Sequence, residues 1–322
     1  MERKINYSII IPHKNIPNLL QRCLDSIPRR DDVQIIVVDD NSDPAIVNFE
    51  QFPGLNDPFV EVIFTKEGKG GGYARNVGLK KAVGKWLLFA DADDFYNYCI
   101  NDVLDEYANS DADIICFKHN SVDCNNYTTA LRCAGFIKRI NYWLRNPTNK
   151  KADYLLRYRH IAEWGKFFKA GLIKNNNILF DEISIAIGVT FIYLAGFYAA
   201  SIRADPRALY CTTIRTNSIR NKKKNEQKRI DEIYVNCKRY LFFKRNGISF
   251  HDGVPFIFFL LKCFFLNKDN YNKIKNILKD LGFTSKDFFK LCVHDIFIIT
   301  PGKIFEKIEY SFKRIFLKAI FG

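Results

Sequence analysis

The sequence predicts an α/β fold: a mostly parallel sheet flanked by helices, followed by a C-terminal helical extension. Three observations carry that expectation. Between Tyr7 and Ala90, four short, largely apolar runs alternate with stretches of helical spacing. Such runs belong to strands buried on both faces, as in parallel sheets covered by helices on each side. Two of the runs end in clusters of carboxylates, and beyond about residue 220 the chain becomes rich in Lys, Arg and Phe. With 322 residues, 48% of them hydrophobic and 26% charged, the chain can bury a full core, which excludes a disordered polymer.

The elements follow in order. Tyr7–Ile11 is a buried strand closed by Pro12, and Leu19, Leu20, Cys23, Leu24 and Ile27 mark a helix over 18–27. Gln34–Val38 (QIIVV) is the second strand and runs into Asp39, Asp40, Asn41 and Ser42. Phe59–Thr65 (FVEVIFT) is the third. The glycine run Gly68-Lys69-Gly70-Gly71-Gly72 then opens a helix reaching Val83, with Gly84 where a C′ glycine belongs. Trp86–Ala90 (WLLFA) is the fourth strand and leads into Asp91-Ala92-Asp93-Asp94. Residues 112–118 read as a further strand, 161–173 as a helix around Trp164, and 178–203 as an apolar stretch open between helix and strand. Val254–Leu266 is strongly apolar, yet it falls short of the roughly 20 residues a spanning helix needs and is interrupted by Lys262. The last helix carries Ile304, Phe305, Ile308, Phe312, Ile315, Phe316, Ala319 and Ile320 on one face and Lys303, Lys307, Lys313, Arg314 and Lys318 mostly on the other. The expected domains are 1–220, in halves 1–110 and 111–220, and an extension over 221–322.

The net charge of +14 is unevenly spread. Residues 1–110 hold 12 Lys and Arg against 17 Asp and Glu, while 217–322 hold 22 against 10. An acidic front and a basic tail imply separate partners. The nine cysteines form no Cys-x-x-Cys and lie beside no zinc-finger histidines, so they read as reduced thiols packed as small hydrophobes. The apolar stretch Ile9–Ile11 is far shorter than a signal-peptide core, which points to a cytoplasmic protein.

Asp91-x-Asp93-Asp94 is the sharpest chemical signal. Carboxylates gathered at a strand end repel one another unless a cation shares them, and oxygen-only ligands suit Mn²⁺ or Mg²⁺. A solvated acidic turn is the alternative. Asp39 and Asp40 read either as a helix cap or Asx turn, or as acceptors from a base N–H or ribose hydroxyl. The glycine run lacks the Gly-Lys-Ser/Thr of a Walker A loop, and Tyr73 and Arg75 sit where a dinucleotide fingerprint needs small residues. It reads as a plain loop, or as one that approaches phosphates with Arg75 supplying charge.

Together the segments IIIPHKN (Ile9–Asn15), IIVVDDNS (Ile35–Ser42), GGGYARNVGL (Gly70–Leu79) and GKWLLFADADD (Gly84–Asp94) resemble, in order and spacing, the family 2 glycosyltransferases of GT-A fold. A weaker resemblance to bacterial surface-polysaccharide members continues through Glu163-Trp164-Gly165-Lys166, Ile178–Glu182 and 215–219. The resemblance implies a nucleotide-sugar site made by Pro12, Lys14, Asn15, Asp39, Asp40, Gly71, Arg75 and Asp91. Within it Asp40 meets the base, Arg75 the diphosphate, and Asp91 and Asp93 the ribose and a divalent metal. Glu163 and Trp164 fall on the acceptor side. The activity implied is inverting transfer of a sugar from a UDP-linked donor to a lipid-linked or lipopolysaccharide-type glycan.

The chain departs from the family at two points. Lys14 replaces the family's tyrosine after the first strand. Where an acid that deprotonates the acceptor is expected, near Gly188 or Val189, there is none; Asp181 and Glu182 are the nearest carboxylates, and Glu182 is the candidate to replace it. A catalytically impaired binding or scaffold subunit is the alternative reading. The basic run Arg220, Lys222, Lys223, Lys224, Lys228 and Arg229, with the amphipathic last helix, points to an anionic membrane surface on the inner face of the cytoplasmic membrane. Nucleic acid is not expected, because the aromatics of the tail lie with aliphatics and not between the basic residues.

Overall fold

The computed structural model describes residues 4–215, 226–248, 268–284 and 286–287. They fall into two compact units, one drawn from 1–183 and 187–222, the other from 184–186 and 223–322.

The first unit is built on one sheet of eight strands: β1 (Tyr7–His13), β2 (Val33–Asp40), β3 (Val60–Thr65), β4 (Trp86–Phe89), β5 (Phe95–Tyr96), β6 (Ile114–Asp123), β7 (Lys166–Lys169) and β8 (Ile202–Ile214). Their spatial order is β3-β2-β1-β4-β7-β6-β8-β5. β1 to β4 are parallel, β7 runs against β4 and β6, β8 is parallel to β6, and β5 is antiparallel to β8. The sheet is therefore mostly parallel. Its helices are α1 (Pro17–Asp25), α2 (Gly71–Lys81), α3 (Ile100–Tyr107), α4 (Ala134–Arg145), α5 (Lys150–Tyr154), α6 (Ala170–Asn175) and α7 (Gly188–Tyr198), with a π-helical turn over Leu155–Arg159.

Strand alternation explains the apolar runs. Tyr7, Ile9 and Ile11 of β1, Val33, Ile35 and Val37 of β2, and Trp86 and Leu88 of β4 share one core with α1 and α3. Ile10, Ile36, Val38, Leu87 and Phe89 share the other with α2, α6 and α7. Both faces are packed along these stretches, which keeps them apolar apart from the buried Ser8, whose hydroxyl donates to Gln34 Oε1 at 2.7 Å.

Three expectations are revised. Residues 161–173 are not one helix: β7 occupies Lys166–Lys169, because Phe167 and Phe168 point into opposite cores, and α6 follows. The apolar stretch 178–203 resolves into α7 and the start of β8. Gly84 is not a helix cap, since α2 ends at Lys81 on an extended Ala82. Gly84 is instead pressed against β1, where a Cβ would stand 2.6 Å from the Ser8 amide nitrogen.

The second unit contains α8 (Glu226–Arg245) and α9 (Lys268–Asp280). Residue 184 belongs with it, the Ser184 amide and hydroxyl both donating to Asp231 Oδ2 at 2.8 and 2.5 Å. Lys244 pairs with the buried Asp287 at 2.5 Å. The basic positions 220–224, Val254–Leu266 and the amphipathic face over 304–320 lie outside the described residues. Among those described, no helix is long and apolar enough to cross a membrane. The described cysteines are unpaired, and all but Cys124 are buried.

Candidate functional site

β1 lies between β2 and β4, so the chain leaves β1 in one direction and returns on its other side. Parallel sheets collect ligands at such a reversal, outside the carboxyl ends of the strands. Three acidic or polar strand ends emerge there, at His13, at Asp39-Asp40 and after Phe89.

The first two loops are laced together. The Ile16 amide donates to His13 Nε2 at 3.1 Å, so the imidazole carries its proton on Nδ1 and donates it to Asp39 Oδ1 at 2.7 Å. Asp39 also accepts from the Ser42 amide at 2.9 Å and hydroxyl at 2.5 Å. Burial alone would raise the Asp39 carboxyl, but the hydrogen bonds from His13 and Ser42 outweigh it and hold it below the usual range. Asn15, in the left-handed region at φ 57°, donates its amide to Ser42 Oγ and accepts from the Asp43 amide. Asp39 and Asn15 thus hold the loops in register. Asp40 differs. Its Oδ2 accepts from the Gly70 amide at 2.8 Å and from Lys14 Nζ at 3.4 Å. Its Oδ1 is buried with no hydrogen-bond partner. Pro12, half-buried, pairs in register with Val38 and sets the exit of β1.

α2 carries the glycine loop over these strand ends. Gly70, at φ 95°, precedes it, and a side chain on Gly72 would run into the Asp181 carbonyl, so this end of the helix packs on backbone. Asn76 fixes the same segment, donating to the Phe180 carbonyl at 3.0 Å and accepting from its amide at 2.9 Å. Arg75, buried, reaches Asp91, Glu163 Oε1 at 3.1 Å and the Gly71 carbonyl at 3.3 Å, with Phe180 beneath its guanidinium.

Asp91, Asp93 and Asp94 offer ligand atoms within 4.8 Å of one another. β8 clamps the loop they sit on. The Asp91 amide donates to Tyr210 Oη at 2.8 Å, and the Thr213 amide donates to Asp94 Oδ1 at 2.7 Å. Arg215 donates twice to Asp93 Oδ2, at 2.9 and 2.6 Å. Burial raises the Asp91 carboxyl to about 6 against the pull of Arg75, with Glu163 and Asp93 adding like charge. Asp94 is pushed well above its ordinary value, by burial first and then by Asp93 and Asp91. The donor set is oxygen only, and the ion pairs of Asp91 and Asp93 each engage one carboxylate oxygen. These residues fit a divalent cation such as Mn²⁺ or Mg²⁺.

Of the two residues expected on the acceptor side, Trp164 is largely buried and stacks on Tyr210 at 5.4 Å. Gly165, at φ 64°, turns the chain against His119. The Glu163 carboxylate lies between Arg75 and the first residue of α7, Gly188. Glu182 is exposed, and its carboxylate accepts from Asn76 at 3.2 Å. Sequence reasoning passed over Tyr210, Thr213 and Asn76. Only tertiary structure brings them in: Tyr210 lies 119 residues beyond Asp91. Arg215 carried a weak signal, as the start of the 215–219 segment.

The sequence model described as "Glycosyl transferase family 2" matches residues 8–194. An uncharacterized glycosyltransferase, EpsJ, of Bacillus subtilis is 28% identical over 182 residues, covering 54% of this chain and 51% of that protein. A poly(ribitol-phosphate) beta-glucosyltransferase of Bacillus spizizenii is 30% identical over 185 residues, 54% of this chain but 26% of the relative. The chain thus matches about half or less of these relatives' length. Among solved structures, S. aureus TarS 1-349 in complex with UDP-GlcNAc superposes with a TM-score of 0.62 at 18% identity, covering 96% of this chain and 92% of that one. A mannosyltransferase of Pyrobaculum calidifontis, in complex with GDP-Man and Mn²⁺, gives 0.51 at 15% identity, with 92% and 81% covered. At these identities the structural likeness concerns the GT-A fold.

Proposed function

Because the chain belongs to glycosyl transferase family 2, we propose that it transfers a sugar, with inversion, from a UDP-linked donor to a hydroxyl of a glycan or lipid-linked acceptor. One observation carries the donor half of this reading: the buried, partnerless Asp40 Oδ1 at the mouth of the glycine loop. A buried carboxylate oxygen without a donor is costly, and the N–H of a nucleotide base would satisfy it. Arg75 stands one helical turn along α2 to meet the diphosphate, and Asp91 is the carboxylate for the ribose. Asp91 and Asp93 would hold the divalent cation, which supplies charge neutralisation for the departing diphosphate when bound. Lys14, half-exposed beside Asp40, faces the same mouth.

The experiment is thermal unfolding with UDP, GDP and CDP, each with and without Mn²⁺. A ligand at 100 times its Kd stabilises by about 2.7 kcal/mol. UDP is expected to stabilise most, and Asp40→Asn should weaken its effect. No stabilisation by any of the three would sink the donor site. Stabilisation without release of nucleoside diphosphate from any nucleotide sugar would favour the alternative, a binding or scaffold subunit.

The basic C-terminal segment serves to dock the enzyme on an anionic membrane, which its charge and the spacing of its apolar positions support. Removing residues from 300 onward should then move the chain out of the membrane fraction. Unchanged fractionation would refute docking by that segment.

A further inference from the structure

The acid expected near Gly188 is missing from the sequence, but a carboxylate stands in its place. A Cβ built on Gly188 would lie 2.5 Å from Glu163 Oε2, 3.0 Å from its Cδ and 3.5 Å from Oε1. A side chain at position 188 and the Glu163 carboxylate therefore compete for one volume, and glycine leaves it to Glu163. We propose that Glu163 is the general base of this protein, taking the proton of the acceptor hydroxyl from the space that Gly188 leaves open at the start of α7. The assignment rests on the transfer reading above.

Three features support it. The first is direction. Glu163 Oε1 pairs with Arg75 at 3.1 Å, while Oε2 has no hydrogen-bond partner among the described residues and is the atom nearest Gly188. The second is preorganisation. Glu163 is held by the stacked Trp164 and the turn at Gly165 on one side and by Arg75 on the other. The third is elimination. Asp93 is held by Arg215, Asp94 is buried under the Thr213 amide, and Asp181 takes the Thr190 hydroxyl. Glu182, the candidate named from the sequence, is exposed and turned to Asn76 on α2.

The step balances as follows. Oε2 accepts the hydroxyl proton as the acceptor oxygen bonds to the anomeric carbon. The bond from that carbon to the diphosphate oxygen breaks, and its electron pair leaves with the nucleoside diphosphate. Protonation removes the charge on Glu163 and so loosens its pair with Arg75, whose charge becomes available to the leaving group. The proton later passes to solvent.

The test uses the full chain with Mn²⁺ and water as acceptor, measuring nucleoside diphosphate released from UDP-N-acetylglucosamine and UDP-glucose. UDP affinity is read in parallel by thermal shift. Glu163→Gln should lower turnover about 10²- to 10⁴-fold without weakening UDP binding, since the neutral amide leaves the charge of Arg75 available to the diphosphate. The double variant Glu163→Ala with Gly188→Asp should regain at least about tenfold over Glu163→Ala alone, whereas Gly188→Asp alone should be impaired by collision with Glu163. Glu163→Gln turnover close to the parent's, or no recovery in the double variant, would overturn the assignment. So would a parent that binds UDP and releases none from either sugar. A parent that binds no nucleotide would remove the donor-site reading itself, a result distinct from loss of the base alone.

Discussion

Replacing Gly84 with alanine should destabilise the protein by about 3 kcal/mol, as over-packing (roughly 1–3 kcal/mol) and one weakened buried hydrogen bond (about 1 kcal/mol) together imply. The new methyl would stand 2.6 Å from the Ser8 nitrogen, 2.7 Å from the Tyr7 carbonyl carbon and 2.9 Å from Ser8 Oγ. Ordinary contact begins at 3.4 Å. The obstruction is backbone, and β1 cannot retreat because it is paired in register with β2 on one side and β4 on the other. Any shift would also stretch the bond from the Gly84 amide to Ser8 Oγ, now 2.9 Å. At roughly 2–4 °C per kcal/mol for a unit of this size, the apparent Tm should fall by about 6–12 °C. Circular dichroism melting measures this, with Gly135→Ala on the exposed start of α4 as control. There the nearest atom is the end of the flexible Arg139, at 3.5 Å, and the change should be neutral or mildly stabilising. A Gly84→Ala variant melting within 2 °C of the parent would refute the steric argument, an outcome that about 0.5–1 kcal/mol at most could explain.

Other perturbations read different parts of the molecule. Arg215→Gln removes the doubly hydrogen-bonded cation from Asp93 and should tighten Mn²⁺ binding about 5- to 150-fold, the equivalent of about 1–3 kcal/mol for a charge-assisted pair. Titration calorimetry would show it, and weaker binding would disprove that Arg215 competes with the metal. Lys166, buried with its ammonium on the His160 carbonyl, is lowered to about 8, chiefly by burial. The unfolded chain therefore holds more protons above that pH, and stability should rise between pH 7.5 and 9.5 by about 2 kcal/mol relative to Lys166→Met. Parallel denaturant curves for the two proteins would contradict this.

How much was legible follows from how each signal is written. β1, β2 and β4 were readable because strands buried on both faces leave nearly unbroken apolar runs, and β3 because β-branched and aromatic residues dominate it. The loops after them were readable because Asp40, Arg75, Asp91 and Asp93 sit at fixed distances from those runs. β7 was missed because a four-residue strand between aromatics has no period to detect, and the indole of Trp164 suggested a helix. Gly84 was assigned to a cap because spacing from a helix end looks the same whether glycine serves torsion or closeness. The division of labour between Asp39 and Asp40 was invisible, since neighbouring strand residues point to opposite faces and only tertiary contacts say which side is lined. The base was sought along the chain near Gly188, where local spacing can look. The carboxylate that fills that place, Glu163, comes from another loop.

β8 has a consequence for how the molecule matures. Arg215 follows Asp93 by 122 positions, and Thr213 and Tyr210 are nearly as distant. On a ribosome adding about 5–20 residues each second, the acidic loop emerges about 6–25 s before its clamp. Throughout that interval three mutually repelling carboxylates stand at the end of β4 with no partner from β8, and a nascent chain bearing every N-terminal motif has no finished site. The acidic loop is thus clamped only once β8 and Arg215 have been made, long after the loop itself.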